Sequence, residues 1–67
     1  MMKVKINGAI AELPDNFSVE DLLLARKLPV DVVIIELNGE IINRGKWESL
    51  KLNPSDSLEI IRIIGGG

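Results

Sequence analysis

The side chains of this sequence offer little reactive chemistry. There is no Cys, no His and no Tyr, which removes the thiol nucleophile, the imidazole for acid–base work near neutral pH, and any zinc site built on nitrogen and sulfur. Four Ser residues, Ser18, Ser49, Ser55 and Ser57, have no His to activate them, so a hydrolytic triad cannot be assembled. No set of metal ligands stands out. What remains is Gly65-Gly66-Gly67, placed directly after the aliphatic stretch Ile60-Ile61-Arg62-Ile63-Ile64. Three glycines have no Cβ to pack or to obstruct a narrow channel, and fully extended they reach roughly 10–11 Å. The group at the tip is the α-carboxylate of Gly67, ionised at neutral pH because its reference pKa is about 3.3–3.7. A carboxylate resists nucleophiles, since its charge repels them and oxide is a poor leaving group. An external enzyme with ATP would convert it to an acyl-adenylate, and a sulfur donor displacing AMP would leave a thiocarboxylate. Taken alone, the tripeptide also reads as a plain chain end. A phosphate cradle is the poorer reading, because no helix follows to supply amide groups.

Such a tail needs a folded body, and 67 residues make one small domain over residues 1–64, with 65–67 as a flexible extension. At this size only about 60% of the unfolded chain's surface is buried. The core material is ample, at 46% hydrophobic with ten Ile, nine Leu and five Val, a composition that favours strands. A net charge of −2 with one Trp and one Phe argues against nucleic acid as a partner. No apolar run approaches the ~18 residues of a membrane span. The opening Met1-Met2-Lys3-Val4-Lys5 alternates instead of forming a signal-type block, so a cytoplasmic protein that does not engage membranes is expected.

Met2, Val4 and Ile6 alternate with Lys3, Lys5 and Asn7, a half-buried strand, and Asn7-Gly8 is a hairpin signal leading to a second strand over Ala9 to Leu13. After Pro14-Asp15-Asn16, Ser18 is placed as a helix N-cap with Asp21 reaching back as a capping box, and Phe17 and Leu22 are spaced as a hydrophobic staple. Val19, Leu22 and Leu23 share the buried face; Arg26 falls on that face one turn later, its stem packed and its charge in water, and Leu24 points away. Leu28-Pro29 should end the helix. Val32 to Leu37, the Asn38-Gly39 turn and Glu40-Ile41-Ile42 predict a second hairpin. Asn43 to Glu48 reads as a polar loop or single helical turn, Asn53-Pro54-Ser55-Asp56 as a turn, and Leu58 to Ile64 as the last strand.

Two hairpin-like pairs, a helix across one face and a closing strand make a two-layer α+β domain with one sheet face left free. If Leu58 and Ile60 continue the core of Met2, Val4, Ile6, Val33, Ile35 and Leu37, then Ile34, Ile61 and Ile63 face outward among Lys3, Lys5, Glu36 and Glu59. An apolar cluster rimmed by charge suits protein docking, although an Ile-rich chain of this size exposes some apolar surface in any case.

In order, spacing and placement these segments resemble the ThiS family, ubiquitin-like β-grasp domains that carry sulfur in thiamine biosynthesis. The resemblance spans essentially the whole chain: Met2-Lys3-Val4-Lys5-Ile6-Asn7-Gly8, the Ser18-Val19 helix start with Leu22-Leu23, Leu37-Asn38-Gly39-Glu40-Ile41-Ile42 followed by Arg44 and Trp47, and Asp56 with Leu58-Glu59-Ile60 running to Gly66-Gly67. It implies a β-grasp fold, a mixed four- to five-stranded sheet with one main helix packed across one face. It implies that Gly67 is adenylylated by a ubiquitin-activating-like enzyme, converted to a thiocarboxylate through a sulfurtransferase or cysteine desulfurase, and hands its sulfur to thiazole synthase. Gly65 and Gly66 would thread the partners' channels, and Ile34, Ile61, Ile63 and Glu59 would form the docking face. The chain would bind no cofactor, ATP and Mg belonging to the activating enzyme, and would itself be a co-substrate, not an enzyme. Three positions depart from the family pattern: Asn43 where Pro is usual, Ser55-Asp56 in place of a Gly-Asp turn, and Arg26 where Leu is common.

The nearest rival is the small subunit of molybdopterin synthase, usually a longer chain. Carriers for tRNA thiolation or amino-acid sulfur assimilation share the same chemistry. Two rivals come from other classes: a ubiquitin-like modifier forming isopeptide bonds through Gly67, and an interaction module with an inert tail.

Overall fold

The computed structural model describes residues 1–63. The elements are β1 (Met2–Ile6), β2 (Ala9–Leu13), α1 (Val19–Ala25), a 3-10 turn over Val30–Val32, β3 (Val33–Leu37), β4 (Glu40–Ile42), a second 3-10 turn over Arg44–Lys46, and β5 (Ser57–Arg62). Both hairpins close on Asn-Gly turns with both central residues at positive φ, 49° and 85° at Asn7-Gly8 and 51° and 86° at Asn38-Gly39. That geometry matches the twist of the strands it joins, and Asn and Gly tolerate it best.

The five strands form one sheet in the order β2-β1-β5-β3-β4. β5 lies in the centre, parallel to β1 with Ile6 beside Leu58 and antiparallel to β3 with Ile35 opposite Ile60. One parallel pair amid antiparallel neighbours, with a helix across one face, is the β-grasp arrangement, and the sheet has five strands.

The start of α1 is built as its sequence predicts. The Ser18 hydroxyl accepts from the Asp21 amide at 3.0 Å, and the Asp21 carboxylate accepts from the Ser18 amide at 3.0 Å. These bonds hold the Asp21 carboxyl below its ordinary pKa, the backbone amide of Ser18 contributing most. The next two orphan donors find distant acceptors: the Val19 amide donates to the Leu50 carbonyl and the Glu20 amide to the Trp47 carbonyl, both at 3.1 Å. The segment after β4 therefore completes the helix cap. Trp47, expected in a polar loop, is buried there, its indole N–H donating to the Ile42 carbonyl at 3.2 Å.

The core lies between α1 and the inner sheet face. Val19, Leu22 and Leu23 meet Met2, Val4, Ile6, Val33, Ile35 and Leu58, with Trp47 and Leu52 closing one end and Phe17 packed against the cluster. Val4, Val19, Leu22, Leu23, Ile35 and Leu58 are the most completely buried.

Boundaries differ from expectation in α1, β3 and β5, the last beginning at Ser57 instead of Leu58. α1 ends at Ala25 instead of Leu28, because the chain reverses in a Schellman motif: the Lys27 amide donates to Leu24 and the Leu28 amide to Leu23, with Lys27 at φ 55°. The helix is closed before Pro29 can oppose it. β3 begins at Val33 instead of Val32, since Val30–Val32 coil into a 3-10 turn with the Val32 amide donating to Pro29. β5 ends at Arg62, although the Ile63 amide still donates to the Val32 carbonyl at 2.6 Å. Ile64, predicted to belong to that strand, lies outside the described residues.

Candidate functional site

Whatever Gly67 does, β5 is the strand that leads to it, and β5 is fastened from both hairpins. At Asn7 the β1 backbone turns away, and the side chain continues the ladder in its place: its Oδ1 accepts from the Ile60 amide at 2.7 Å and its Nδ2 donates to the Ile60 carbonyl at 3.4 Å. Asn38, in the other turn, accepts from the Ser57 amide at 2.9 Å and donates to the Asp56 carboxylate at 3.0 Å. Asp56 is buried, and its second oxygen accepts from the Asn53 amide at 2.8 Å, closing the turn before β5. The residue type that made each tight turn possible thus also pins the central strand.

Alternation along β5 sends Leu58, Ile60 and Arg62 to the helix side and Glu59 and Ile61 to the open side. On that open face Ile61 sits directly opposite Ile34, and Glu59 directly opposite Glu36. Ile61 is 45% exposed and Ile63 50%, Ile34 is half-buried, and Glu59 is exposed. The structure therefore brings Ile34, Ile61 and Glu59 to one face, with Lys3 and Lys5 on β1 forming the other side of the same surface, and Ile63 follows exposed just past the end of β5. Gly65, Gly66 and Gly67 lie outside the described residues.

Two exposed isoleucines were missed by the sequence reading. Ile41, 67% exposed on β4, stands opposite Glu36 and extends the apolar cluster across a third strand. Ile10, 65% exposed, lies on β2 opposite Lys5. The signal for Ile41 was present in the alternation, since Ile42 faces the core opposite Ile35 and its neighbour must face out.

Electrostatically the face is uneven. Glu36 and Glu59 oppose one another across β3 and β5, an arrangement that costs a few tenths of a kcal/mol up to about 1 kcal/mol. Among the described residues neither carboxylate has a salt-bridge partner; the pairs present are Arg44 with Asp31 at 2.6 Å and the N-terminal amine with Asp15 at 3.8 Å. The acidic pair is flanked by Ile34, Ile61 and Ile41, so the apolar cluster carries a negative centre.

No helix of the described residues is long and apolar enough to cross a membrane, and no group of three or more acidic residues there could hold a metal ion.

Comparison with known proteins agrees with this geometry. A crystal structure of the thiamine biosynthesis protein (ThiS) from Geobacter metallireducens superimposes with a TM-score of 0.86 at 29% identity, covering 98% of this chain and 100% of that one. The "Sulfur carrier protein ThiS" of Bacillus subtilis (strain 168) is 36% identical over 53 residues, 79% of this chain and 80% of the relative. A thiazole synthase of Paramagnetospirillum magneticum contains a stretch 35% identical over 66 residues, which is 98% of this chain but 20% of that protein. The model of the ThiS family matches residues 4–67, tail included. With nearly its whole length so matched, the chain belongs to the ThiS family.

Proposed function

We propose that this chain, by its family a sulfur carrier of thiamine biosynthesis, holds the sulfur on the C-terminal carboxyl carbon of Gly67. A carboxylate oxygen of Gly67 attacks the α-phosphorus of ATP on an activating enzyme, and pyrophosphate leaves. The terminal sulfur of a persulfide, carried by a sulfurtransferase or cysteine desulfurase, then attacks the acyl carbon and AMP departs; a second thiol cleaves the resulting acyl disulfide, forming a disulfide with the sulfur donor and leaving the thiocarboxylate. After the sulfur passes to thiazole synthase, Gly67 returns as a carboxylate. ATP and Mg act on the partner's side of this exchange. The chain turns over as a protein co-substrate and catalyses no step itself, and the proposed compartment is the cytoplasm, where the ATP is supplied.

The observation that carries this reading is the family match running through Gly65, Gly66 and Gly67 in a chain whose side chains include no Cys or His. Gly65 and Gly66 serve as the thin segment that enters the partners, and Ile34, Ile61, Ile63 and Glu59 as the surface they grip. Support for thiazole synthase as a partner comes from relatives of that name that contain a stretch similar to 98% of this chain. Two domains in one polypeptide meet at a high effective concentration, which suits a carrier and its acceptor.

Intact-mass spectrometry after incubation with the activating enzyme, Mg-ATP and sulfide tests the reading. The expected result is a mass gain matching one oxygen-to-sulfur exchange, lost when Gly67 is deleted while the fold remains. A deletion variant that still gained the mass would overturn it, and so would a ladder of larger conjugates retaining this chain.

A further inference from the structure

On the side of the sheet away from Ile61, a groove of about 530 Å³ opens beside the end of β5, lined by Asn7, Arg26, Leu28, Val33, Ile60 and Arg62. It arises because α1 is short. The helix stops at Ala25, and the chain turns back through Arg26 and Lys27, so α1 does not extend over the end of β5; there Val33, paired with Arg62, is buried, while Leu28 and Ile60 are half-buried. Leu28, Val33 and Ile60 supply apolar walls, and two guanidinium groups stand over them. No acidic residue lines the groove, and neither Arg26 nor Arg62 makes a side-chain hydrogen bond or salt bridge among the described residues. In a chain of net charge −2, two arginines without a charged partner among the described residues share one concave surface.

We propose that this groove receives a carboxylate-bearing, apolar segment of thiazole synthase, an Asp or Glu beside a Leu- or Phe-like side chain. This rests on the reading of the chain as a carrier whose tail is taken up by that protein. The groove favours a protein segment over a small free anion. A phosphate ion is held by several converging donors, but the one amide side chain here, Asn7, is already bonded at both ends to Ile60. Arg26 and Arg62 are exposed, so a free anion gains little over water at such a site. A protein segment gains twice, from burial against the half-buried Leu28 and Ile60 and from charge-assisted bonds at a rim it dries by covering. The position fits as well, since Arg62 is the last residue of β5 and Gly65 follows three positions later in the sequence. A partner holding the tail would then grip the base of β5 from both faces, the isoleucines on one side and the arginines on the other.

The test uses the full chain and purified thiazole synthase. Binding is measured by titration calorimetry for wild type, R26E/R62E and R26Q/R62Q, with amide NMR spectra checking that each variant keeps the fold. The double reversal is expected to weaken binding about tenfold or more, and the neutral pair less. Added salt should weaken wild type more than R26Q/R62Q. Binding unchanged in R26E/R62E overturns the proposal. It is also overturned if inorganic phosphate at millimolar concentration shifts the Arg26 and Arg62 side-chain NMR signals to saturation while thiazole synthase leaves them unmoved. Wild type is loaded in parallel and weighed: absence of the thiocarboxylate would sink the carrier reading, whereas its presence with unchanged binding would sink the groove alone.

Discussion

Leu58 and Ile61 belong to the same strand, yet Leu58 is fully buried and Ile61 is 45% exposed. The inner face of β5 meets α1 and holds the molecule together; the outer face is covered by no element among the described residues. Inward residues are uniformly apolar until Arg62, where the helix no longer covers them. Outward residues mix Ile34, Ile41 and Ile61 with an opposed pair of glutamates, a combination that does not help the isolated domain. The contrast teaches how a domain of this size divides its apolar residues. One face supplies cohesion, and on the other apolar area is kept in contact with water, where a partner can remove it.

Truncating the inner face should have the largest effect. Leu58→Ala removes a fully buried side chain between β1, β3 and α1 and should cost about 2–5 kcal/mol in urea unfolding. A small domain holds only about 0.05–0.15 kcal/mol per residue, so much of the fold would be lost. Ile61→Asp should do the reverse. Unfolding is expected to shift by about 0.5 kcal/mol or less, as for an exposed position, while affinity for thiazole synthase falls by about 2 kcal/mol or more. If calorimetry showed Ile61→Asp binding like wild type, the outer face would not be the docking face.

Local features of the fold were legible because the bonds that make them lie within a few residues. The Ser18 and Asp21 capping box spans three positions, and both Asn-Gly turns carry their own conformational preference. The outward set Ile34, Ile61 and Ile63 followed from a period of two once the core residues were chosen. What escaped depends on contacts across the chain. Trp47 sits among polar neighbours in sequence, and only its approach to the start of α1 shows that it is core. Asn7 and Asn38 read as turn residues alone, because their second role is on β5, 53 and 19 residues away. The early stop of α1 was missed because the reversal uses Lys27 at φ 55° with no Gly to announce it, and the groove between Arg26 and Arg62 went unseen with it.

Between the two faces stand the devices that set the position of the helix. Ser18→Ala removes a buried hydroxyl and half of the capping box and should cost about 1 kcal/mol of stability. Sulfur loading, measured well below the melting temperature, should not change, because the outer face and tail are untouched. Lys27→Gly acts on the other end of α1 with opposite sign. A non-Gly residue in the left-handed region is strained, and Gly at the Schellman position relieves that strain. The expected gain is about 0.5–1 kcal/mol, read as a rise in the urea midpoint without a change in slope. Ser55, at φ 71° where the family pattern has Gly, offers the same relief through Ser55→Gly.

The smallest effect is the dependence on pH at the helix start. Asp21 has its folded pKa lowered by the Ser18 amide and hydroxyl, so its contribution to stability is complete above the unfolded carboxylate's pKa, about 3.9, and is lost as pH falls through the folded value. Asp21→Asn should therefore flatten the acid limb of the stability profile below about pH 4 and leave the profile near neutrality with its slope unchanged. The same substitution is silent on the outer face, which α1 does not touch. Measured with Ile61→Asp as the counterpart, it separates a group that titrates with folding from one that matters only when a partner arrives. A flat acid limb in wild type would remove Asp21 from the first class.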